Sequence, residues 1–352
     1  MGIPHTLSIK DRSLDVHLGG PGFGEGVFIV IGKTIGIGID CCSSFIAPYR
    51  GTKSFLEQKI EELPSEGVVL WILTHYHYDH YHCLSSVLKR FSDRIKGTIF
   101  PLDYNPADMS YLADQIHEFP DSPSKVYRAK KEYSDLRSLL KLEPFRFNVA
   151  RIQGTQQWLS NQLALPNNDV IALSVKICSA ASDIYDKQFG MSLSELRDRG
   201  SSTTRAHANR GSYIIHFGLG EFEGLFLGDA GSERIEQLVK NEFVGPHGID
   251  CLKVGHHGSS DATSNELLDL CARVKGNTKK QHALIAPYKA AGLPSNEVID
   301  MLEAFGYTVH ISGGRKEAAK VRESIRSEGM FLVDVAEAVA AGSDIVSLKF
   351  RF

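Results

Sequence analysis

Val68-Val69-Leu70-Trp71-Ile72-Leu73, followed by Thr74-His75-Tyr76-His77-Tyr78-Asp79-His80, decides how the chain folds. The six apolar residues, β-branched and aromatic among them, predict a short strand covered on both faces. Polar residues begin where this strand ends, so three imidazoles and a carboxylate crowd the loop at its C-terminal edge. Open α/β layers place their sites at that edge. Four of the chain's 14 histidines lie between positions 75 and 82, and imidazole with carboxylate at this density is a ligand set for zinc or another first-row metal. His75 and His77 point the same way in an extended loop. Asp79 and His80 fall one step on, where a helix can begin, so one pair can hold one ion and the second pair its neighbour. The bland alternative is a solvated polar loop.

Working outward, the same geometry repeats. Gly224-Leu225-Phe226-Leu227-Gly228-Asp229 reads as a strand that stops on a carboxylate, and Asp250 to Val254 as one that stops before Gly255-His256-His257-Gly258-Ser259. A metal site needs ligands from distant segments converging at one edge, and aligned strand ends supply that. Upstream, Leu14 to Leu18, Val27 to Ile31 and Ile35 to Ile39 predict paired strands around glycine-rich turns. The last of them closes on Asp40, which either supports a metal-bound histidine from behind or caps the next turn. Helical spacing marks residues 54–63, 83–91, 232–240 and 295–305, and further strands are predicted at 170–177, 212–217, 283–286, 307–311 and 345–350. His82 reads as a helix-start residue, and Lys253 as one that points outward from its strand. The interval 101–169 is proline-interrupted, charged and weakly patterned. It reads as an insertion or lid within a single domain spanning 1–352. Its basic residues Lys125, Arg128, Lys130, Lys131 and Arg137 form either a solvated helix face or a phosphate-binding surface.

Composition excludes some classes. A formal charge of −3 over 352 residues argues against a strongly basic nucleic-acid module. The six cysteines include no CxxC pair, which predicts reduced thiols and a cytoplasmic protein. No basic, apolar leader and no 18-residue apolar run occur in the sequence, so no membrane partner is expected.

The HxHxDH element after a strand, the later Gly228-Asp229 and the late Gly255-His256-His257-Gly258-Ser259 together resemble the metallo-β-lactamase-fold hydrolases. The second half is most similar to the hydrolase domain of ComEC-type proteins, through Asn209-Arg210-Gly211-Ser212, Leu227-Gly228-Asp229-Ala230, Leu252 to Ser259 and Leu293-Pro294-Ser295. The resemblance covers most of the chain outside 101–169. It implies an α/β fold, a four-layer αββα sandwich with the site at one edge. It also implies two divalent ions, zinc first and manganese as the alternative. His75 and His77 would bind one, Asp79, His80 and His256 the other, and Asp229 would bridge. Three departures stand out. The family's further histidine before the Gly-Asp strand is replaced by Asn209 or His207, Tyr81-His82-Cys83 stands where small residues are common, and Leu293 where a histidine often precedes the proline. The membrane channel of ComEC proteins is absent, so DNA uptake is not implied.

The expected chemistry is hydrolysis. Two ions roughly 3.5–4 Å apart would lower the pKa of a shared water to about 7, and the hydroxide would attack an ester-like centre. Asp79 would orient that water, and whichever of His256 and His257 is not a ligand would donate a proton to the leaving group. The resemblance aligns Gly255-His256 with the family's ligand and so points to His257 as donor, with a swap of the two left open. The expected substrate is a phosphodiester, in nucleic acid or a nucleotide. The alternatives are a thioester, lactone or other small ester, and a metal-stabilised, non-catalytic component of a multi-protein system.

Overall fold

The computed structural model describes residues 6–19, 25–41, 51–101, 123–139, 142, 155–167, 169–179, 209, 211–241, 243–244, 248–272, 280–288, 292–312 and 345–351. An eight-stranded sheet contains β1 (Thr6–Ser8), β7 (Thr155–Ala164), β8 (Val170–Cys178), β9 (Ile214–Leu219), β10 (Phe222–Phe226), β11 (Cys251–Lys253), β12 (Gln281–Ile285) and β13 (Tyr307–Ile311), in that spatial order. A six-stranded sheet is ordered β14 (Ile345–Arg351), β2 (Ser13–Gly19), β3 (Gly26–Ile31), β4 (Ile35–Ile39), β5 (Val68–Ile72) and β6 (Ile95–Ile99). The helices are α1 (Gly51–Glu62), α2 (Tyr78–Tyr81), α3 (Leu84–Arg90), α4 (Pro123–Leu139), α5 (Ser232–Lys240), α6 (Asn265–Cys271) and α7 (Asn296–Ala304).

Strand period two divides the apolar side chains between layers. Leu70 and Ile72 of β5 enter the core between the sheets, beside Val16, Ile29, Val175 and Phe217, while Val69 and Trp71 face a second core with Phe55 and Leu56 of α1 and Val87 of α3. Strand β11 does the same on the other sheet: Cys251 faces the central core, and Leu252 packs with Ile235, Leu267 and Val298 of α5, α6 and α7. The result is the expected αββα layering. Trp71 is fully buried, and its replacement by alanine would cost about 3–5 kcal/mol.

Parallel pairing of β4 with β5 aligns Ile39 with Ile72, so the loops carrying Asp40 and His75 leave the sheet side by side. Parallel pairing of β10 with β11 does the same for Asp229 and His257 on the other sheet, with Phe226 opposite Lys253. Within the interval 101–169 read as an insertion, Thr155–Ala164 is a strand of the large sheet, pairing with both β1 and β8. Its buried Trp158, Leu159 and Leu163 join the central core, so these ten residues belong to the sandwich and not to a lid. Weak patterning in this stretch hid a strand whose polar residues Gln156, Gln157 and Asn161 are interspersed along it.

Candidate metal centre

Each cluster residue reaches the site from a strand end. His75 and His77 occupy the extended loop after β5, and Asp79 and His80 lie in the single helical turn α2. Asp229 follows β10 through Gly228, whose φ is +53° and whose hydrogen faces Ser212 and Thr74 too closely for a Cβ. His257 follows β11, and Gly258, at φ +82°, lies against Pro294 where a Cβ would come within 2.6 Å. The Gly-Asp and His-His-Gly elements therefore need glycine for backbone reasons. Asp40, His256 and His257 also adopt positive φ, at 57°, 45° and 56°. Such left-handed residues are uncommon outside glycine and gather at functional sites.

The imidazoles converge through their Nε2 atoms. His80 Nε2 lies 3.3 Å from Asp229 Oδ1 and 3.8 Å from Asp79 Oδ2, His257 Nε2 3.3 Å from Asp79 Oδ2, and His75 Nε2 3.8 Å from Asp229 Oδ2. Behind the rings of His80, His257 and His75 the Nδ1 atom meets an oxygen. His80 Nδ1 is 2.8 Å from Asp40 Oδ2, and His257 Nδ1 is 3.0 Å from the Ala286 carbonyl. His75 Nδ1 is 3.0 Å from Thr74 Oγ1, whose own hydroxyl donates to Asp40 Oδ2 at 2.7 Å. Rearward acceptors put the proton on Nδ1 and leave the Nε2 lone pair facing inward, the tautomer a metal requires. Asp40 thus supports His80 directly and His75 through Thr74.

The donor atoms fall into two groups sharing Asp229: His75, His77 and Asp229, and Asp79, His80, Asp229 and His257, each with its atoms within 4.8 Å of one another. Nε2 of His75, Nε2 of His80 and Oδ1 of Asp229 are buried and lack hydrogen-bond partners, a costly state unless a cation fills the space between them. Electrostatics agree. Burial, aided by His80 and His77, holds His75 well below the usual imidazole range, and burial brings His77 to about 4. Burial also opposes charge on His80, but Asp229, Asp40 and Asp79 outweigh it and hold its pKa well above the ordinary value. A field that draws a proton there draws a divalent cation more strongly. The residues present therefore fit divalent metal.

Not every expected residue joins this cluster. His256, expected as the ligand, has a side chain 31 % exposed; its Nδ1 lies 3.2 Å from Asp261 Oδ1 and its Nε2 3.3 Å from the Asn209 amide nitrogen. His257, expected as the proton donor, occupies the cluster instead. The left-handed backbone at both residues gives the swap that the sequence leaves open. Asn209 stands at the rim, with Oδ1 buried and without a hydrogen-bond partner; His207 lies outside the described residues. Lys253 does not point outward: it is 1 % exposed and its Nζ lies 2.7 Å from Glu25 Oε2. Glu25 went unrecognised in the glycine-rich turn, where only a lone charge before an apolar strand marked it. His82 is buried between α2 and α3, and its Nε2 is 3.4 Å from Glu132 Oε1. With Cys83 these residues form another His/Cys/Glu group. The Cys83 thiol, however, is 3.3 and 3.6 Å from the two ring nitrogens and so lies over the ring face, while Glu132 accepts the Cys83 N–H at 2.8 Å and docks α4 against the start of α3.

No family model matches the chain, and no curated protein matches it. Among solved structures, it is similar to the metallo-beta-lactamase fold protein YhfI from Bacillus subtilis, with 12% identity, 86% of this chain and 98% of that one covered, and a TM-score of 0.44. A mutant of CmlA beta-hydroxylase matches with 14% identity, 85% of this chain and 52% of that one covered, and a TM-score of 0.46. The chain's own architecture defines a mixed α/β sandwich of two sheets that carries a His/Asp cluster able to hold metal at one edge. Among the described residues no helix is long and apolar enough to cross a membrane.

Proposed function

We propose that this protein is a metal-dependent hydrolase of the metallo-β-lactamase fold, and a phosphodiesterase acting on nucleic acid or a nucleotide. The observation that carries the reading is the set of three imidazoles anchored at Nδ1, with Nε2 turned onto Asp79 and Asp229. In it, His75, His77 and Asp229 would hold one ion, and Asp79, His80, Asp229 and His257 a second. Zinc suits these nitrogen and oxygen donors, with manganese the alternative. Bound ions would supply Lewis-acid polarisation and an activated water.

The chain's residues supply the rest. Asp79, 3.3 Å from His257 Nε2, would orient the attacking water. His256 stands outside the cluster, partly exposed and backed by Asp261, where it can pass a proton to the leaving oxygen. It is also placed to meet a phosphate oxygen, and the Asn209 amide beside it adds a second polar contact. These rim groups favour an anionic phosphodiester over a neutral ester.

The test is a panel of DNA, RNA, bis(p-nitrophenyl) phosphate, a thioester and a lactone, each with added Zn2+ or Mn2+. Phosphodiester turnover that a chelator abolishes is expected. Turnover of the thioester or lactone alone would replace the phosphodiesterase reading with that of a small-ester hydrolase. Stoichiometric metal with no turnover would indicate a metal-stabilised, non-catalytic component.

A further inference from the structure

Behind the cluster lies a second charged pair that needs explaining. Glu25, just before β3, and Lys253, at the end of β11, are 2 % and 1 % exposed. They come from different sheets, and their charged ends meet at 2.7 Å. Lys253 Nζ also donates to the Val254 carbonyl at 2.8 Å. Glu25 in turn touches the cluster from the rear: its N–H donates to the Asp79 carbonyl at 3.2 Å, its Oε1 is 4.0 Å from His80 Nδ1, and its Oε2 is 3.7 Å from His257 Nδ1. One residue therefore touches three members of the same metal group, its carboxylate behind His80 and His257 and its backbone N–H on Asp79.

A buried ion pair is an expensive way to stabilise a fold, because apolar residues of similar volume often do as well. Nor does Glu25 set the imidazole tautomers, since Asp40 and the Ala286 carbonyl are the nearer acceptors. What the pair provides is a fixed contact between the two sheets directly behind Asp79, His80 and His257. Lys253 also balances a carboxylate that would otherwise add to the negative charge of Asp40, Asp79 and Asp229.

We propose that Glu25 and Lys253 are positioning residues that hold the spacing between the two sheets at the Asp79/His80/His257 metal position. The inference rests on the reading that these residues bind metal. Loss of the pair should weaken that position by about 10–100-fold, the usual effect of removing support behind a ligand, and leave the His75/His77 position within a few-fold.

The experiment is titration of the metal-stripped full chain with Co2+, following the cobalt absorption bands and the heat of binding, together with the melting temperature before metal is added. Wild type is compared with Glu25→Gln, Lys253→Met, the double variant and Glu25→Asp. The double variant leaves no buried charge unpaired, so it should melt within a few degrees of wild type and still bind one of its two ions at least tenfold more weakly. Glu25→Asp keeps the charge but shortens its reach; it should fold and show an intermediate loss, which serves if the double variant fails to fold. Two ions bound with wild-type affinity in whichever of these variants folds, or an equal loss at both positions, would overturn the inference alone. Wild type that binds no cobalt would overturn the proposed function, and this inference with it.

Discussion

Asp40 Oδ2 lies 2.8 Å from His80 Nδ1, across the ring from Asp229 Oδ1, which is 3.3 Å from Nε2. The same carboxylate accepts the Thr74 N–H and the Thr74 hydroxyl, each at 2.7 Å. Through Thr74 it also fixes His75. Burial raises the Asp40 carboxyl, and the neighbouring His80 offsets part of that rise.

Asp40→Ala should therefore have two effects. It strands the buried Thr74 N–H, at a cost of about 1–3 kcal/mol, and it frees two imidazoles, lowering metal affinity by about 10–100-fold. Melting curves and metal titration separate the two. Wild-type affinity in a folded Asp40→Ala would show that the rings are oriented without it.

Asp229 is shared by both donor groups, so Asp229→Ala should abolish hydrolysis and reduce bound metal. Elemental analysis of the purified variant checks the second point independently of any substrate. Full activity in this variant would mean that Asp229 bridges nothing.

His256 and His257 should separate cleanly. His257→Ala removes a cluster nitrogen and should lower metal content, whereas His256→Ala should keep the metal and lose rate. A proton donor matters most when the leaving group is a poor one. His256→Ala should consequently lose far more activity on an alkyl phosphodiester than on a p-nitrophenyl one. Equal losses on both substrates would remove His256 from proton transfer.

Much of this was legible in the sequence because strand ends write their chemistry in consecutive residues. The run Val68 to Leu73 marks a doubly covered strand, and His75, His77, Asp79 and His80 follow at once. Asp40 could be singled out, but with its two readings balanced, since only tertiary structure brings it to His80. The exchange of His256 with His257 depends on two consecutive left-handed residues, a backbone feature with no compositional signature. Glu25 and Lys253 were hidden for another reason: they are 228 positions apart, and a buried ion pair looks like two surface charges until its partners are known.

Acid stability offers a check away from the site. His17 on β2 is buried with Nδ1 2.8 Å from Ser347 Oγ, and burial, with Lys59 and Lys349 nearby, lowers its pKa to about 3. His310 on β13 is likewise lowered to about 3 by burial and by His282. In the unfolded chain both return to an ordinary value near 6.5. Between those values the unfolded state binds protons that the folded state refuses, so stability falls as pH drops below about 6.5. Well inside that window each histidine should cost about 1.4 kcal/mol per pH unit. His17→Gln should make the fall shallower by about that amount. Urea unfolding of wild type and variant from pH 7 to pH 4.5 measures it, and identical slopes would sink the claim.

The substrate class can be read from salt. Lys125, Arg128, Lys130 and Lys131 all fall on α4, and Lys131 is exposed, its Nζ 3.9 Å from Asp135. If nucleic acid is the substrate, these charges displace counterions on binding, and affinity should fall steeply between about 50 and 200 mM salt. Replacing all four with alanine should then flatten that dependence and selectively reduce turnover of nucleic acid, while bis(p-nitrophenyl) phosphate is still hydrolysed. A cluster that is only a solvated helix face predicts equal activity of variant and wild type on both substrates at both salts. We expect the selective loss. The opposite result would leave metal-dependent hydrolysis intact and move the substrate from a polymer to a nucleotide or small ester, whose recognition the α4 charges do not touch.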